Sequence, residues 1–344
     1  MAIAPEMTAP LRLRLDGDAL VHNWRWLKAA GGAAACGAAV KANGYGLGAV
    51  DVTTRLLDAG CRDFFVATWA EAAEVAPLLP EDASLSVFHG VREADMEAAL
   101  ASQARPVLNT TEQVVRWKPT GRACDVMIDT GMNRLGLASG ADFSGLNIHT
   151  LMSHLASADQ DVVQNGRQLE LFRDAAATIA AQRYSLANSA GICLGADYHF
   201  GLTRPGLALY GGLPRGEAAG QIRPVIAVEA EVLQRRRIEV GESVGYNATF
   251  TADQPMELAI LNIGYADGYL RAFSGKGTAG GGRFPVIGRV SMDLIAIDVS
   301  TAPDTAEGDW VDIDYDLPSA AAVSGLSQYE LLTLLGRRFE RIWH

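Results

Sequence analysis

The chain has no C-x-x-C pair, no long apolar run and no sizeable basic patch. No run approaches the roughly 20 apolar residues needed to span a bilayer, so no membrane segment is expected. The N-terminal M-A-I-A-P-E-M-T-A-P-L-R-L-R-L has no basic start followed by an apolar core, so a secretory leader is not expected either. A net charge of -11 argues against nucleic acid as the main partner, because phosphate backbones require a basic footprint. The one basic run, Arg235-Arg236-Arg237, lies among Glu229, Glu231, Glu239 and Glu242 and reads as a solvated, ion-paired face. Six histidines show no H-E-x-x-H spacing, so no zinc site is expected. The widely spaced Cys36, Cys61, Cys124 and Cys193 read as free packing thiols in a reducing cytoplasm.

What the chain does contain is 344 residues, 49% of them hydrophobic, enough for two domains. From about residue 15 to 212 a short apolar run, a turn and a helical stretch recur. The runs are 37–41, 63–68, 85–90, 106–110, 125–130, 148–155, 186–190 and 207–211. Their composition suits strands buried on both faces, as parallel strands are. Among the intervening helical patterns, T-W-A-E opens with a Thr68 cap and Glu71 in its first turn, and the stretch from Asp159 to Ala180 is the strongest. Eight units fit a (β/α)₈ barrel; a doubly wound sheet is the alternative, and the count favours the barrel. Beyond about residue 224 the period changes to two, which predicts a mostly-β domain closed by a helix near Ser327–Leu335, with 275–283 as a loop. The expected domains are 15–224 and 225–344, with residues 1–14 packing on the second.

In a barrel the carboxyl ends of strands face the active site. Those positions here hold Lys41 and Tyr45, Asp129 with Arg134, His154, Asn188 with Ser189, and Arg204 with Gly206. No pair of carboxylates flanks a common point, which disfavours glycosidase chemistry. Taken alone, Lys41 reads as a solvated lysine at a strand end. With a glycine-tyrosine loop after it, and Ser189 and Gly206 at the usual phosphate position of such barrels, it reads as a nucleophilic amine beside a phosphate site.

These pieces carry a resemblance. V-K-A-N-G-Y-G-L-G, D-T-G-M-N-R-L-G, S-H-L-A-S-A-D, N-S-A-G, R-P-G-L-A-L-Y-G, V-G-Y-N-A-T-F, G-Y-A-D-G and G-R-V-S-M-D occur in this order over about residues 36–295. The chain thereby resembles the alanine racemase family, enzymes dependent on pyridoxal 5'-phosphate (PLP) that join a (β/α)₈ barrel to a C-terminal β domain. The resemblance implies that Lys41 carries PLP covalently and serves as one base, with Tyr246 as the base on the opposite face. Tyr246 would come from the other subunit of a homodimer. His154 and Arg204 would lie near that tyrosine, with Arg204 facing the pyridine nitrogen. Tyr45, Asn188, Ser189, Gly206, Leu207 and Tyr329 would bind or shape the phosphate site. Arg134, Met292, Asp293 and Tyr265 would surround a small amino-acid substrate, with alanine expected and D-alanine for the cell wall as its use.

The chain departs from the family pattern at three positions. Met127 stands where many members carry a carbamylated lysine, so Arg134 lacks that anion; Leu47 replaces a histidine; and Asn133 replaces a glycine. These departures leave serine or a broader amino-acid range as the alternative substrate. A barrel-type PLP decarboxylase shares the architecture but lacks the two-base logic of Tyr246 and usually places an acid at the pyridine nitrogen. A PLP-binding homeostasis protein is single-domain and lacks the β domain that carries Tyr246.

Overall fold

Asp63–Val66, Ser84–Val87, Arg105–Leu108 and Ala123–Met127 are short strands whose central residues are almost wholly buried. Apolar side chains on both faces require cover on both sides, which is the environment of a parallel sheet wrapped in helices. In the computed structural model, which describes residues 9–344, these four strands pair in parallel. Ala38–Ala39 precedes them, and Asn147–Met152 and Arg183–Ser185 follow. An eighth strand, Leu202–Thr203, pairs in parallel with Ala35–Cys36, and Ala39 N–H donates to Pro205 O at 2.9 Å, closing the ring. This unit, Asp18–Arg223, is a (β/α)₈ barrel.

The last two strands lie earlier than the apolar runs predict. Leu186–Ala190 begins just beyond the seventh strand, and Leu207–Tyr210 is a 3₁₀ turn. A short buried apolar run fits a strand and a buried helical turn equally, so periodicity cannot separate them. Pro205, with no N–H to give a ladder, follows closely on the eighth strand. The helices behave as their caps dictate. Thr68 Oγ1 accepts from Glu71 N at 3.2 Å and Glu71 Oε2 accepts from Thr68 N at 3.1 Å, a complete capping box for Trp69–Val75. Val163–Thr178 buries Leu169, Phe172 and Ala175, one residue per turn.

The second unit comprises Pro224–His344 and the described residues before Asp18. The long strand Ile226–Ile238 pairs with Trp310–Ile313 and Leu11–Leu15 along its first half and with Met256–Leu261 along its second, the latter pairing interrupted by a bulge at Leu233. Met256–Leu261 continues through Ile295–Asp298, Phe284–Ile287 and Thr278–Ala279 back to Trp310–Ile313, so six strands close a ring. Thr278–Ala279 lies inside the segment expected as a plain loop; it is one arm of a hairpin with Phe284–Pro285. Gln328–Thr333 is helical behind a Ser327 cap. The basic run is ion-paired, Arg235 with Glu257 at 3.1 Å and Arg237 with Glu239 at 2.8 Å.

Charges are buried near the amino ends of the barrel strands. Asp63 binds Arg183, and Asp125, fully buried, accepts from Ser86 Oγ at 2.5 Å, Thr150 N at 3.0 Å and Arg105 Nε at 3.2 Å. Burial would raise both carboxyls, but the Arg183 hydrogen bond and the Arg105 charge outweigh it and hold them below the ordinary carboxylate range. A depressed native pKa contributes stability at pH values above the unfolded carboxyl's and loses it as pH falls through the native one. Asp125→Ala, which strands Arg105, is expected to cost about 3–5 kcal/mol at neutral pH by urea unfolding. The difference from the native protein should shrink below about pH 4. A loss under about 1 kcal/mol would show that the network adds no more than an exposed pair.

Candidate active site

The first strand delivers Lys41 to the barrel mouth and the chain turns sharply there. Ala42, Asn43, Gly44 and Tyr45 all have positive φ, between 51° and 61°. Glycine suits the third of these, because a Cβ at 44 would add left-handed strain and crowd Ala49 N and Val52 Cγ2 at 3.2 Å. Asn43 Oδ1 accepts from Ala49 N at 3.0 Å and holds the far side of the turn. Lys41 lines a cavity of about 300 Å³ with Phe88, Met127, Arg134, His154 and others, its Nζ lying 5.8 Å from the Phe88 ring centroid. Burial and then Arg134 lower the Lys41 pKa, and Glu71 opposes them. An amine with a depressed pKa is the nucleophilic form that covalent attachment of an aldehyde requires.

Tyr45 is buried and stacks on Tyr210 with ring centroids 4.6 Å apart. Gly206 sits against it so closely that a Cβ there would come within 2.3 Å of the Tyr45 hydroxyl. Ser189 Oγ accepts from Gly206 N at 2.9 Å and from Ala208 N at 3.2 Å. Asn188 caps the turn Ser189–Cys193 through Gly191 N at 2.8 Å, and Leu207 opens the buried 3₁₀ turn beyond. Two hydroxyls and two backbone N–H groups thus gather around Gly206, where a Cβ would strike the Tyr45 hydroxyl. That cradle fits a phosphate monoester.

Arg204 is 4% exposed, its guanidinium donating to Ser153 O at 2.5 Å and to Ser185 Oγ. Burial lowers its pKa to about 10, so it stays charged at neutral pH. His154 is pushed down to about 3 by burial, then by Arg204, Arg134 and Lys41, and is neutral at neutral pH. Three cations acting on one imidazole place these four residues in one electrostatic neighbourhood. Asp129 Oδ1 gathers the N–H groups of Gly131, Met132 and Asn133 at 2.9–3.1 Å, shaping the loop that presents Arg134. Asn133, at φ 56°, adopts the left-handed conformation that a glycine would take more easily. Met127 lines the same cavity as Arg134. Leu47 is fully buried, so its isobutyl group serves packing.

In the second unit, Tyr246 opens a turn whose Asn247 and Ala248 also have positive φ, and its side chain is 64% exposed. Tyr265 N donates to Ser291 O and Ala266 N to Met292 O, each at 3.0 Å, joining the G-Y-A-D-G turn to the S-M-D loop. Gly264 permits this approach, since a Cβ there would lie 2.4 Å from Met292 O. Arg338 bridges Asp293 at 2.6 Å and Asp267 at 2.6 and 2.7 Å. Met292 is exposed, and so is Tyr329 on the helix Gln328–Thr333. The site residues read from the sequence thus fall into one cluster at the barrel mouth and a second set on the β unit.

Sequence reasoning missed Phe88 and His89 in the cavity wall and Ser153 and Ser185 beneath Arg204. Phe88 and His89 stand at the end of the third apolar run, where the same strand-end rule would have found them. The serines carried no sequence signal, because their partner lies 51 and 19 residues away.

Comparison with known proteins agrees with this architecture. Residues 15–214 match the alanine racemase N-terminal domain and residues 225–343 the alanine racemase C-terminal domain. An alanine racemase of Rhodospirillum rubrum is 42% identical, covering 98% of this chain and 96% of its own. A catabolic alanine racemase of Agrobacterium fabrum is 40% identical, covering 96% and 91%. The crystal structure of Bartonella henselae alanine racemase with covalently bound pyridoxal phosphate superimposes with a TM-score of 0.91 at 35% identity, covering 98% of this chain and all of that one. With both domains matched in order, the chain belongs to the alanine racemase family.

Proposed function

We propose that this chain interconverts L- and D-alanine with PLP held at the barrel mouth. The observation that carries the assignment is the cavity in which the depressed Lys41 amine faces neutral His154 and cationic Arg134, beside the Tyr45–Ser189–Gly206 cradle. Lys41 would hold PLP covalently; Tyr45, Ser189, Gly206 and Leu207 would receive its phosphate, with Asn188 fixing the Ser189 turn. Bound PLP supplies the electron-withdrawing system that makes the amino acid's Cα–H acidic.

The remaining chemistry belongs to side chains. Lys41 Nζ is assigned to take or return a proton on one face of Cα, and burial, by lowering its pKa, favours the unprotonated form that this needs. Tyr246 Oη is assigned the same task on the other face, because two enantiomers present their protons to opposite sides. Its exposure on the β unit supports donation to the site of a second copy, with Tyr265, Met292 and Asp293, in a homodimer. Tyr329 is assigned to the phosphate side. Neutral His154 can accept a hydrogen bond from a phenol without adding charge. Arg204, charged and anchored on Ser153 and Ser185, would offer a hydrogen-bond donor to the pyridine nitrogen of bound PLP without giving up a proton. Arg134 is assigned to the substrate carboxylate. The buried free thiols Cys36, Cys61 and Cys124 support a reducing, cytoplasmic setting.

Incubation with each enantiomer of alanine and of serine, followed by chiral chromatography, tests the assignment. Either alanine enantiomer should proceed to an equal mixture, faster than serine does. No conversion of alanine by PLP-loaded protein would overturn it, and faster turnover of serine would reassign the substrate.

Met127 yields a separate expectation. A thioether cannot be carbamylated, so added bicarbonate should leave the rate of alanine racemisation unchanged at constant pH and ionic strength. A rise that saturates with bicarbonate would show that another group supplies the anion.

A further inference from the structure

Glu71 opens the helix after the second barrel strand, where its capping box gives it an ordinary structural role. Its carboxylate does more than that role needs. Oε2 accepts from Ala67 N at 2.7 Å and Thr68 N at 3.1 Å, while Oε1 crosses to the neighbouring strand exit and accepts from Ala42 N at 2.6 Å. The crossing bond is the shortest of the three, and it lands on the peptide that joins Lys41 to the left-handed turn.

Left-handed backbone is unfavourable for a residue with a Cβ, and Ala42, Asn43 and Tyr45 are all non-glycine. Such a turn persists only where its surroundings hold it. The far side is held by Asn43 Oδ1 on Ala49 N and by Asn43 O on Gly48 N. On the Lys41 side, the anchor of the Ala42 N–H is Glu71. The same carboxylate is the negative charge acting on Lys41 against Arg134.

We propose that Glu71 is a positioning residue for Lys41: it pins the backbone that aims the amine into the cavity and holds a counter-charge against Arg134 there. The role rests on the racemase reading for its catalytic consequence but not for its geometry. A charge-assisted bond to the adjoining peptide fixes the Lys41 Cα, and a misplacement of about 1 Å can cost on the order of 100-fold in rate.

The test compares Glu71→Gln, Glu71→Asp and Thr68→Ala. Thr68→Ala removes the hydroxyl half of the same capping box and leaves the Ala42 bond in place, so it separates helix capping from positioning. On PLP-free protein, acylation of Lys41 by acetic anhydride is followed across pH by peptide mass spectrometry. Among the described residues, the titratable groups around Lys41 are Arg134, His154, His89 and Glu71, and Glu71 is the anionic one. Glu71→Gln should therefore move the acylation midpoint to lower pH, and Thr68→Ala should leave it in place while lowering the melting temperature. On the PLP-loaded enzyme, Glu71→Gln should lower kcat for alanine by about tenfold with little change in KM, and Glu71→Asp should recover part of the loss.

An unchanged midpoint and kcat in Glu71→Gln would overturn the proposal, and so would equal changes in Glu71→Gln and Thr68→Ala. Failure of the wild type to racemise alanine would count against the racemase reading alone, because the acylation midpoint needs neither cofactor nor substrate.

Discussion

Lys41→Ala is expected to abolish the visible absorbance of the PLP-loaded protein attributable to the lysine linkage and to lower racemisation by at least about 10⁴-fold in both directions. The magnitude follows from losing two functions at once. The amine is the only one lining the cavity among the described residues, and the proposed function gives it two tasks, covalent anchor and proton carrier. The phosphate cradle at Tyr45, Ser189 and Gly206 does not involve the lysine side chain. The variant should therefore still bind PLP reversibly and elute with it at high cofactor concentration. Addition of methylamine separates anchoring from positioning, since a small amine can replace the base but not its tether. A visible band unchanged by Lys41→Ala would refute the assignment of the cofactor lysine.

The second large effect concerns Tyr246. Tyr246→Phe removes one hydroxyl from an exposed side chain, so folding should be untouched while racemisation falls by roughly 10²–10⁴-fold. Mixing the Tyr246→Phe and Lys41→Ala proteins, each nearly inactive, gives the sharper measurement. If each site takes its lysine from one subunit and its tyrosine from the other, a mixed dimer contains one intact site and one doubly damaged site. Random exchange makes half the dimers mixed, so activity should recover to about one quarter of wild type. No recovery after verified subunit exchange would place both residues in the same chain's site.

Much of the candidate site was legible because its residues stand at strand ends or in the loops that follow, and strand ends follow from apolar runs. Lys41, Arg134, His154 and Ser189 were found that way. The eighth strand was misplaced because Leu207–Tyr210 is as apolar as a strand while turning as a 3₁₀ helix, and the two-residue strand Leu202–Thr203 is too short to show a period. Glu71 was legible as a helix cap and illegible as a support for Lys41. The cap is a local pattern whose ends are three residues apart, whereas the Glu71 bond to Ala42 spans 29 residues and depends on two strands lying side by side. The buried acids were hidden for the same reason. Asp63 and Asp125 look like polar letters at the edges of apolar runs, and their cationic partners are 120 and 20 residues distant.

That distance between Asp63 and Arg183 has a consequence during synthesis. At about 5–20 residues per second, the ribosome needs roughly 6–24 s to add the residues that separate them. Throughout that interval the carboxylate emerges without the cation that will share its burial, and its hydration opposes closing the partial sheet over it. Half-made chains should consequently stay open and sensitive to protease until Arg183 has left the exit tunnel. The barrel is thus timed to close late, by a charge that arrives near its end.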